Sequence, residues 1–318
     1  MRLEEFLISN NIQFKRNVPL SELTGMNLNG YLNLVARPSS TEQLKMLYQF
    51  LISKNLSYEI VGGLTNTYLC EGFTRDIIIQ TDNIQEVKWS QDEVEVSSGY
   101  NFNKLAIEIS RLGRANYEGF IGIPGTVGAA AINNSGAFGA DVSKVLKCAT
   151  ILTPNGKEIA LSNDDFSYGP RYSKLKNYNF GVLLTVTLDI SNRCSQEVID
   201  SKIAKIREDR KQRKEWDRKS LGSIFVGKSI ASVWQTHPFR NIIRKMIYLP
   251  FKYTKFRRQA QCFSEFIALG NLRFIKYCDN IGRFCWDENT KEEVFFDYID
   301  FVKRISKQNA ILEIEIKR

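Results

Sequence analysis

The stretch GFIGIPGTVGAAAINNSGAFGA, residues 119–140, carries no charged side chain in a chain of 318 residues of which 25% are charged. Its length and lack of charge fit a transmembrane helix. Against that stand six glycines and Pro124, each of which weakens a helix, and the adjacent Asn133 and Asn134, which are costly in hydrocarbon. The competing reading is a loop that works through its main chain. Gly122, Gly125 and Gly128 leave N–H groups uncovered by side chains, so a phosphate could be held by successive donors. The run TVGAAAI can open a short helix whose N-terminus adds its dipole. VGGLTNTYL, residues 61–69, reads as a second such turn after a strand. Either one alone is a weak signal, because glycine-rich turns are common.

Around these loops the hydrophobic pattern alternates between two periods. TEQLKMLYQFLISK (41–54) places Leu44, Leu47, Phe50 and Leu51 at helical spacing, and FNKLAIEISRLG (102–113) does the same and stops on a glycine. YEIVGG, DIIIQT and VEVSSG read as strands, ATILTPNGKEIAL as two strands about an Asn-Gly turn, and FGVLLTVTLDI as a long alternating strand. Beyond residue 193 come a charged helix (196–216), a strand in IGRFCWD, a helix over 290–307 and a closing strand in AILEIEIKR. Helices and strands mix without strict alternation, which predicts an α+β fold rather than a doubly wound sheet. Two domains are expected, 1–193 (lobes of about 1–85 and 86–193) and 194–318.

Composition narrows the class. Hydrophobic residues make up 43% and aromatic residues 12% of the chain, enough for real cores. The N-terminal MRLEEFLISNNIQFKRN does not read as a signal peptide. The six cysteines are scattered with no C-x-x-C pair, and His237 is the one histidine, so reduced thiols, a cytoplasmic location and no metal site are expected. The net charge of +9 is concentrated: residues 201–260 hold 17 Lys and Arg against 4 Asp and Glu. That block is either a solvated helix face or a surface for anionic partners. It has no recognised nucleic-acid-binding motif, so no nucleic acid is expected.

RPSSTEQL, VGGLTNTYLCEGF, DIIIQT and GIPGTVGAAAINNSGAFG, in this order, resemble the flavin-binding half of the UDP-N-acetylenolpyruvoylglucosamine reductases. The family pattern G-I-P-G-T-V-G-G-A is met from Gly122 to Gly128, with Ala129 in place of a glycine; G-G-G-S-N is met by Gly62, Gly63 and Asn66. The resemblance covers roughly residues 25–225. It implies a two-lobed FAD-binding domain of the vanillyl-alcohol oxidase type followed by a smaller α+β substrate domain. Val61, Gly62, Gly63, Leu64, Thr65, Asn66, Gly122, Ile123, Pro124, Gly125, Thr126, Val127 and Gly128 would clasp FAD, with NADPH as hydride donor and an enolpyruvyl UDP-sugar as substrate. The product would be UDP-N-acetylmuramate, a peptidoglycan precursor.

The chemistry requires a cation, a polarised carboxyl contact and a proton donor beside the reacting carbon. The family arginine lies in F-x-Y-R-x-S; FSYGPRYSKLK offers Arg171, with Gly169 and Pro170 as extra residues. The family serine lies in N-x-G-S-x-F; KSLGSIF offers Ser223. The family glutamate lies in L-E-x-E-V; ILEIEIKR offers Glu315, with Glu313 second. Past Phe225 the pattern departs: K-N-P is replaced by VGK, the histidine and asparagine of H-A-N-F are missing, and residues 237–259 have no family counterpart. Two alternatives therefore stand beside the reductase: a paralogue acting on another nucleotide sugar in surface-polysaccharide synthesis, and a non-catalytic flavin module on an anionic membrane. The second rests on HPFRNIIRKMIYLPF, where Phe239, Ile243, Met246 and Ile247 fall near one helical face beside Arg240, Arg244 and Lys245. A peripheral membrane contact through 237–260 follows from it, and the oligomeric state is left open.

Overall fold

The computed structural model describes residues 1–24, 26, 28–177, 179–212, 218–287 and 289–318. The strands are β1 (Gln13–Pro19), β2 (Tyr31–Arg37), β3 (Tyr58–Val61), β4 (Thr67–Leu69), β5 (Ile77–Gln80), β6 (Val87–Trp89), β7 (Glu93–Ser97), β8 (Leu146–Leu152), β9 (Glu158–Ser162), β10 (Val182–Asp189), β11 (Cys278–Asn280), β12 (Arg283–Phe284) and β13 (Glu315–Lys317). The α-helices are α1 (Leu3–Ser9), α2 (Leu20–Thr24), α3 (Thr41–Ser53), α4 (Phe102–Arg111), α5 (Val127–Ile132), α6 (Gln196–Gln212), α7 (Gly227–Thr236), α8 (Pro238–Tyr248), α9 (Arg257–Leu269) and α10 (Glu292–Ile305). The expected end of the charged helix, residues 213–216, lies outside the described residues.

The chain divides into two compact units. The first comprises Met1–Pro19, Tyr31–Leu64 and Thr74–Arg210; the second comprises Leu20–Gly30, Thr65–Phe73 and Lys211–Arg318.

The first unit contains two sheets. One has the order β1-β2-β5-β3, with β1 antiparallel to β2 and the other neighbours parallel. Its central β5 is an unbroken apolar run with Ile77, Ile78 and Ile79 fully buried, as suits a strand covered on both faces. Helix α3 starts because Ser40 accepts the Gln43 N–H, and it buries Leu44, Leu47, Tyr48, Phe50 and Leu51 in the same core. The other sheet, β6-β7-β10-β8-β9, is antiparallel throughout. The Asn-Gly turn between β8 and β9 is where the pattern predicts it, with Gly156 at φ +79°. Helix α4 is capped by Asn101, and α6 adds Ile199 and Ile203 to this unit's interior.

The uncharged stretch belongs to this core and spans no membrane. It runs through a 3-10 turn (Glu118–Phe120), the glycine loop and α5, and it buries Phe120, Val127, Ala130 and Ala131. Among the described residues no helix is long and apolar enough to cross a bilayer.

The second unit is held mainly by aromatic packing. Phe284 lies against Tyr277, Trp286, Phe295 and Tyr298, and Tyr68 against Trp286 and Phe295. Its strands are short: β11 pairs with β12, and β13 runs parallel to β4. The closing strand is thus shorter than the alternation in AILEIEIKR suggests.

Candidate active site

Two loops build the center of the first unit. The first leaves β3 at Val61, whose carbonyl is spent internally, accepting from the N–H (2.9 Å) and the hydroxyl (3.2 Å) of Thr81. Gly62, Gly63 and Leu64 follow. The second is the 122–128 loop. The two meet at Gly62: a Cβ there would lie 2.5 Å from the Thr126 hydroxyl oxygen, so only glycine permits the approach. Thr126 is itself buried and fixed, because its hydroxyl accepts the Ala129 N–H (3.4 Å) at the start of α5.

The main-chain donors then fall into two groups. Gly122 N–H donates to the Asn103 side chain (2.6 Å), Ile123 N–H to Phe120 (3.0 Å), Val127 N–H to Tyr100 (2.9 Å) and Gly128 N–H to Ser98 (2.7 Å). Those four hold the loop in shape. Of the three glycines expected to leave their N–H groups uncovered, Gly125 alone does so, at φ +103°. Among the described residues, the N–H groups of Gly62, Gly63, Leu64, Gly125 and Thr126 donate to no protein acceptor. Five such donors on two loops in direct contact, with no side chain on Gly62 to hold the loops apart, fit the pyrophosphate of a dinucleotide cofactor. Pro124 is exposed beside them.

Arg171 is more than a surface arginine. Gly169 and Tyr172 exchange hydrogen bonds (2.9 and 3.2 Å), so Pro170 and Arg171 form the tip of a tight turn with Arg171 at φ +57°. Proline second and a positive φ third are the signature of a type II turn, which explains the two residues that looked extra in the motif. The Arg171 guanidinium reaches back to the uncharged stretch. It donates to the Asn134 carbonyl (3.1 Å), the Asp141 carboxylate (3.1 Å) and the Gly136 carbonyl.

Ser223 and the C-terminal glutamates belong to the second unit. Ser223 is exposed, between Gly222 at φ +76° and the buried pair Ile224 and Phe225. Phe225 bridges antiparallel to Leu312, and the Glu313 N–H donates to the Ile224 carbonyl (2.9 Å). The terminal segment therefore runs beside the serine's own. Asn66 clamps it from the other side: its carbonyl accepts the Glu315 N–H (2.9 Å), and its side chain donates to the Glu313 carbonyl (3.2 Å). Thr65 and Asn66 thus group with the terminal strand, while Gly62 to Leu64 group with the glycine loop. Glu315 is half-buried, with the Lys317 ammonium 3.6 Å from its carboxylate.

Three residues at the site escaped the sequence reading. Asn103, in the first turn of α4, holds Gly122, and nothing in its helical context marks it. Arg210, buried near the end of α6, packs on Gly122 and lies 5.3 Å over the Phe138 ring. The basic block had hidden it among solvated charges. Tyr168 stands inside the FSYGPRYS motif; its phenol oxygen is buried with no hydrogen-bond partner among the described residues, and burial pushes its pKa well up. Among the described residues no cluster suited to a metal ion occurs.

A family model described as an FAD binding domain matches residues 32–162. The chain is 30% identical over 219 residues to the UDP-N-acetylenolpyruvoylglucosamine reductase of Lactiplantibacillus plantarum, spanning 67% of this chain and 70% of that protein. It is 29% identical over 223 residues to that of Anoxybacillus flavithermus, spanning 70% and 74%. Among solved structures it is similar to the UDP-N-acetylenolpyruvylglucosamine reductase of Thermus caldophilus, with a TM-score of 0.67 and 20% identity over 96% of this chain and all of that one. At that identity the likeness is one of fold, α+β with a flavin-binding first part.

Proposed function

The chain belongs to the UDP-N-acetylenolpyruvoylglucosamine reductase family and is a flavin-dependent oxidoreductase, and from that premise we propose that it uses NADPH to reduce enolpyruvyl-UDP-N-acetylglucosamine to UDP-N-acetylmuramate. The observation that carries this reading is the pair of contacting loops whose five main-chain donors have no acceptor among the described residues. Gly62, Gly63, Leu64, Gly125 and Thr126 would hold the FAD pyrophosphate, while Asn103, Thr126 and the Ser98 carbonyl keep the loop in the shape that presents them. When bound, FAD supplies the hydride carrier between NADPH and the vinyl methylene of the substrate.

The remaining work falls to side chains. As hydride reaches the methylene, negative charge develops on the adjacent carbon and its carboxyl group. Arg171, fixed by two carbonyls and Asp141, supplies a preorganised positive charge for it. The Ser223 hydroxyl delivers the proton to that carbon, and Glu315 polarises the carboxyl contact. A free serine is a poor acid, so a proton relay or a positive charge close to it would have to assist.

A second reading is favoured by one observation. The helices α7, α8 and α9 occupy the stretch where the sequence departs from the family, and the histidine and asparagine of H-A-N-F are absent. A paralogue with another nucleotide sugar as substrate follows from it. Half-reaction kinetics separate the two. Ser223→Ala should leave flavin reduction by NADPH unchanged and slow flavin reoxidation by the enolpyruvyl substrate by about 100-fold or more. A slowed first half-reaction removes the proton-donor role. Wild-type reoxidation that the enolpyruvyl substrate does not accelerate selects the paralogue. A purified protein without the visible flavin bands, and unable to take up FAD, overturns both.

A further inference from the structure

Helix α8 is amphipathic in the opposite sense to its neighbours. Its half-buried positions are Asn241, Arg244, Ile247 and Tyr248, with Arg244 stacked 4.5 Å over the Trp234 ring and Arg240 donating to the Leu269 carbonyl (3.0 Å). Phe239, Ile242, Ile243, Met246 and Leu249 point to solvent instead, each 41–81% exposed. Their spacing of three, one, three and three residues makes a single stripe. Ile247, grouped with this stripe on sequence spacing, sits on the half-buried side. The chain continues with Phe251, Tyr253 and Phe256, all exposed. Single exposed hydrophobics are ordinary, but a stripe of five followed by three aromatics calls for an occupant.

The charges around it say which one. Between Asp217 and Glu265 there are ten Lys and Arg and no Asp or Glu. Arg258 is tied to Asp279, which anchors the segment to its own unit. Lys245, Lys252, Lys255 and Arg257 form no ion pair among the described residues; Lys252 and Lys255 lie 5.0 and 5.2 Å over the rings of Tyr253 and Phe256. Apolar side chains flanked by aromatics and by unpaired lysines suit the boundary between acyl chains and anionic headgroups. A symmetric contact with a second copy would set the same cations against one another. Since no described helix is long and apolar enough to span a bilayer, the contact lies in the plane of the interface.

We propose that α8 and residues 249–257 dock this protein on the surface of an anionic phospholipid bilayer. The test is sedimentation of the full-length, flavin-loaded protein with vesicles of phosphatidylcholine alone or mixed with phosphatidylglycerol. The protein should pellet with the mixed vesicles only, and less so as salt rises. Phe239→Ser with Met246→Ser should abolish pelleting, and each of Lys245→Gln, Lys252→Gln and Lys255→Gln should weaken it about fivefold, the equivalent of ~1 kcal/mol per basic side chain at an anionic surface. All these side chains are at the surface, so melting temperature and flavin content should match the wild type. Three results would overturn the proposal: no pelleting with mixed vesicles at low salt, pelleting undiminished by the double serine variant, or a concentration-dependent dimer that this variant dissociates, which would make a second copy the occupant.

Discussion

Replacing Gly62 by alanine tests the contact on which the flavin site depends. The added methyl would lie 2.5 Å from the Thr126 hydroxyl oxygen and 3.2 Å from its methyl carbon. Thr126 is buried, and rotating its side chain surrenders the cap on Ala129 N–H, a bond worth ~1 kcal/mol. Moving the loops apart instead costs about 1–3 kcal/mol, the usual penalty of overpacking. Because the separated loops no longer present their N–H groups together, the same energy should appear in cofactor binding. At about 1.4 kcal/mol per factor of ten, the FAD dissociation constant rises about 5- to 150-fold. Titrating the apoprotein with FAD and following flavin fluorescence measures this, and a melt of the apoprotein separates lost affinity from lost fold. Thr126→Ala removes both clashing atoms and leaves the Cβ 3.4 Å away. Combined with Gly62→Ala it should therefore cost less than the two single changes together, by ~0.5 kcal/mol or more. Unchanged FAD affinity in Gly62→Ala, or an additive double variant, would refute the reasoning.

Other outcomes follow from groups described above or buried nearby. Arg171→Lys cannot span Asn134, Gly136 and Asp141 together, so stability in urea should fall by about 1–3 kcal/mol; an unchanged midpoint would mean that the clamp contributes nothing. Glu265 is buried in α9, and burial raises its pKa to about 6, partly offset by the Ile281 N–H at 2.7 Å and by Gln261. Its folded pKa is above its unfolded one, so its contribution to stability is fully present below about pH 4.5 and is lost as pH rises to about 6, by ~2 kcal/mol. Glu265→Gln should flatten that slope in melts across the window; an unaltered slope assigns it to other groups. All six cysteines are free. Burial pushes Cys262 up to about 12 and Cys285 up to about 11, and it holds Cys278 well above the usual thiol range. A thiol reagent at neutral pH should therefore modify the half-exposed Cys148 and Cys194 quickly and the other four only after denaturation.

Local patterning accounts for most of the first unit. Helices α3 and α4, the Asn-Gly hairpin and the buried β5 follow from periodicity, caps and turn residues, all of which act over a few positions. The two glycine loops were legible for the same reason, since close approach and positive φ leave a mark in composition. What the sequence did not disclose is non-local. That Gly62 faces Thr126, that Asn103 holds Gly122 and that Arg210 covers it depend on packing between segments 19 to 88 residues apart. Residues 65–73 join the second unit although they follow directly on the first loop. For α8 the spacing identified an apolar face but not which way that face would turn.

The pairing of β13 with β4 also governs how the second unit is made. The hydrogen bond beside it joins Asn66 to Glu313, 247 residues apart in the chain. During synthesis β4 therefore leaves the ribosome as a strand whose partner does not yet exist, and stays unpaired while nearly the whole of the rest is translated. Its neighbours in the aromatic core, Trp286 and Phe295, arrive almost as late. The first unit needs nothing beyond Arg210 and can close early, whereas the second waits for its last strand. Such a contact is slow to form, and the waiting edge is the segment of this protein most in need of protection from misplaced strand pairing.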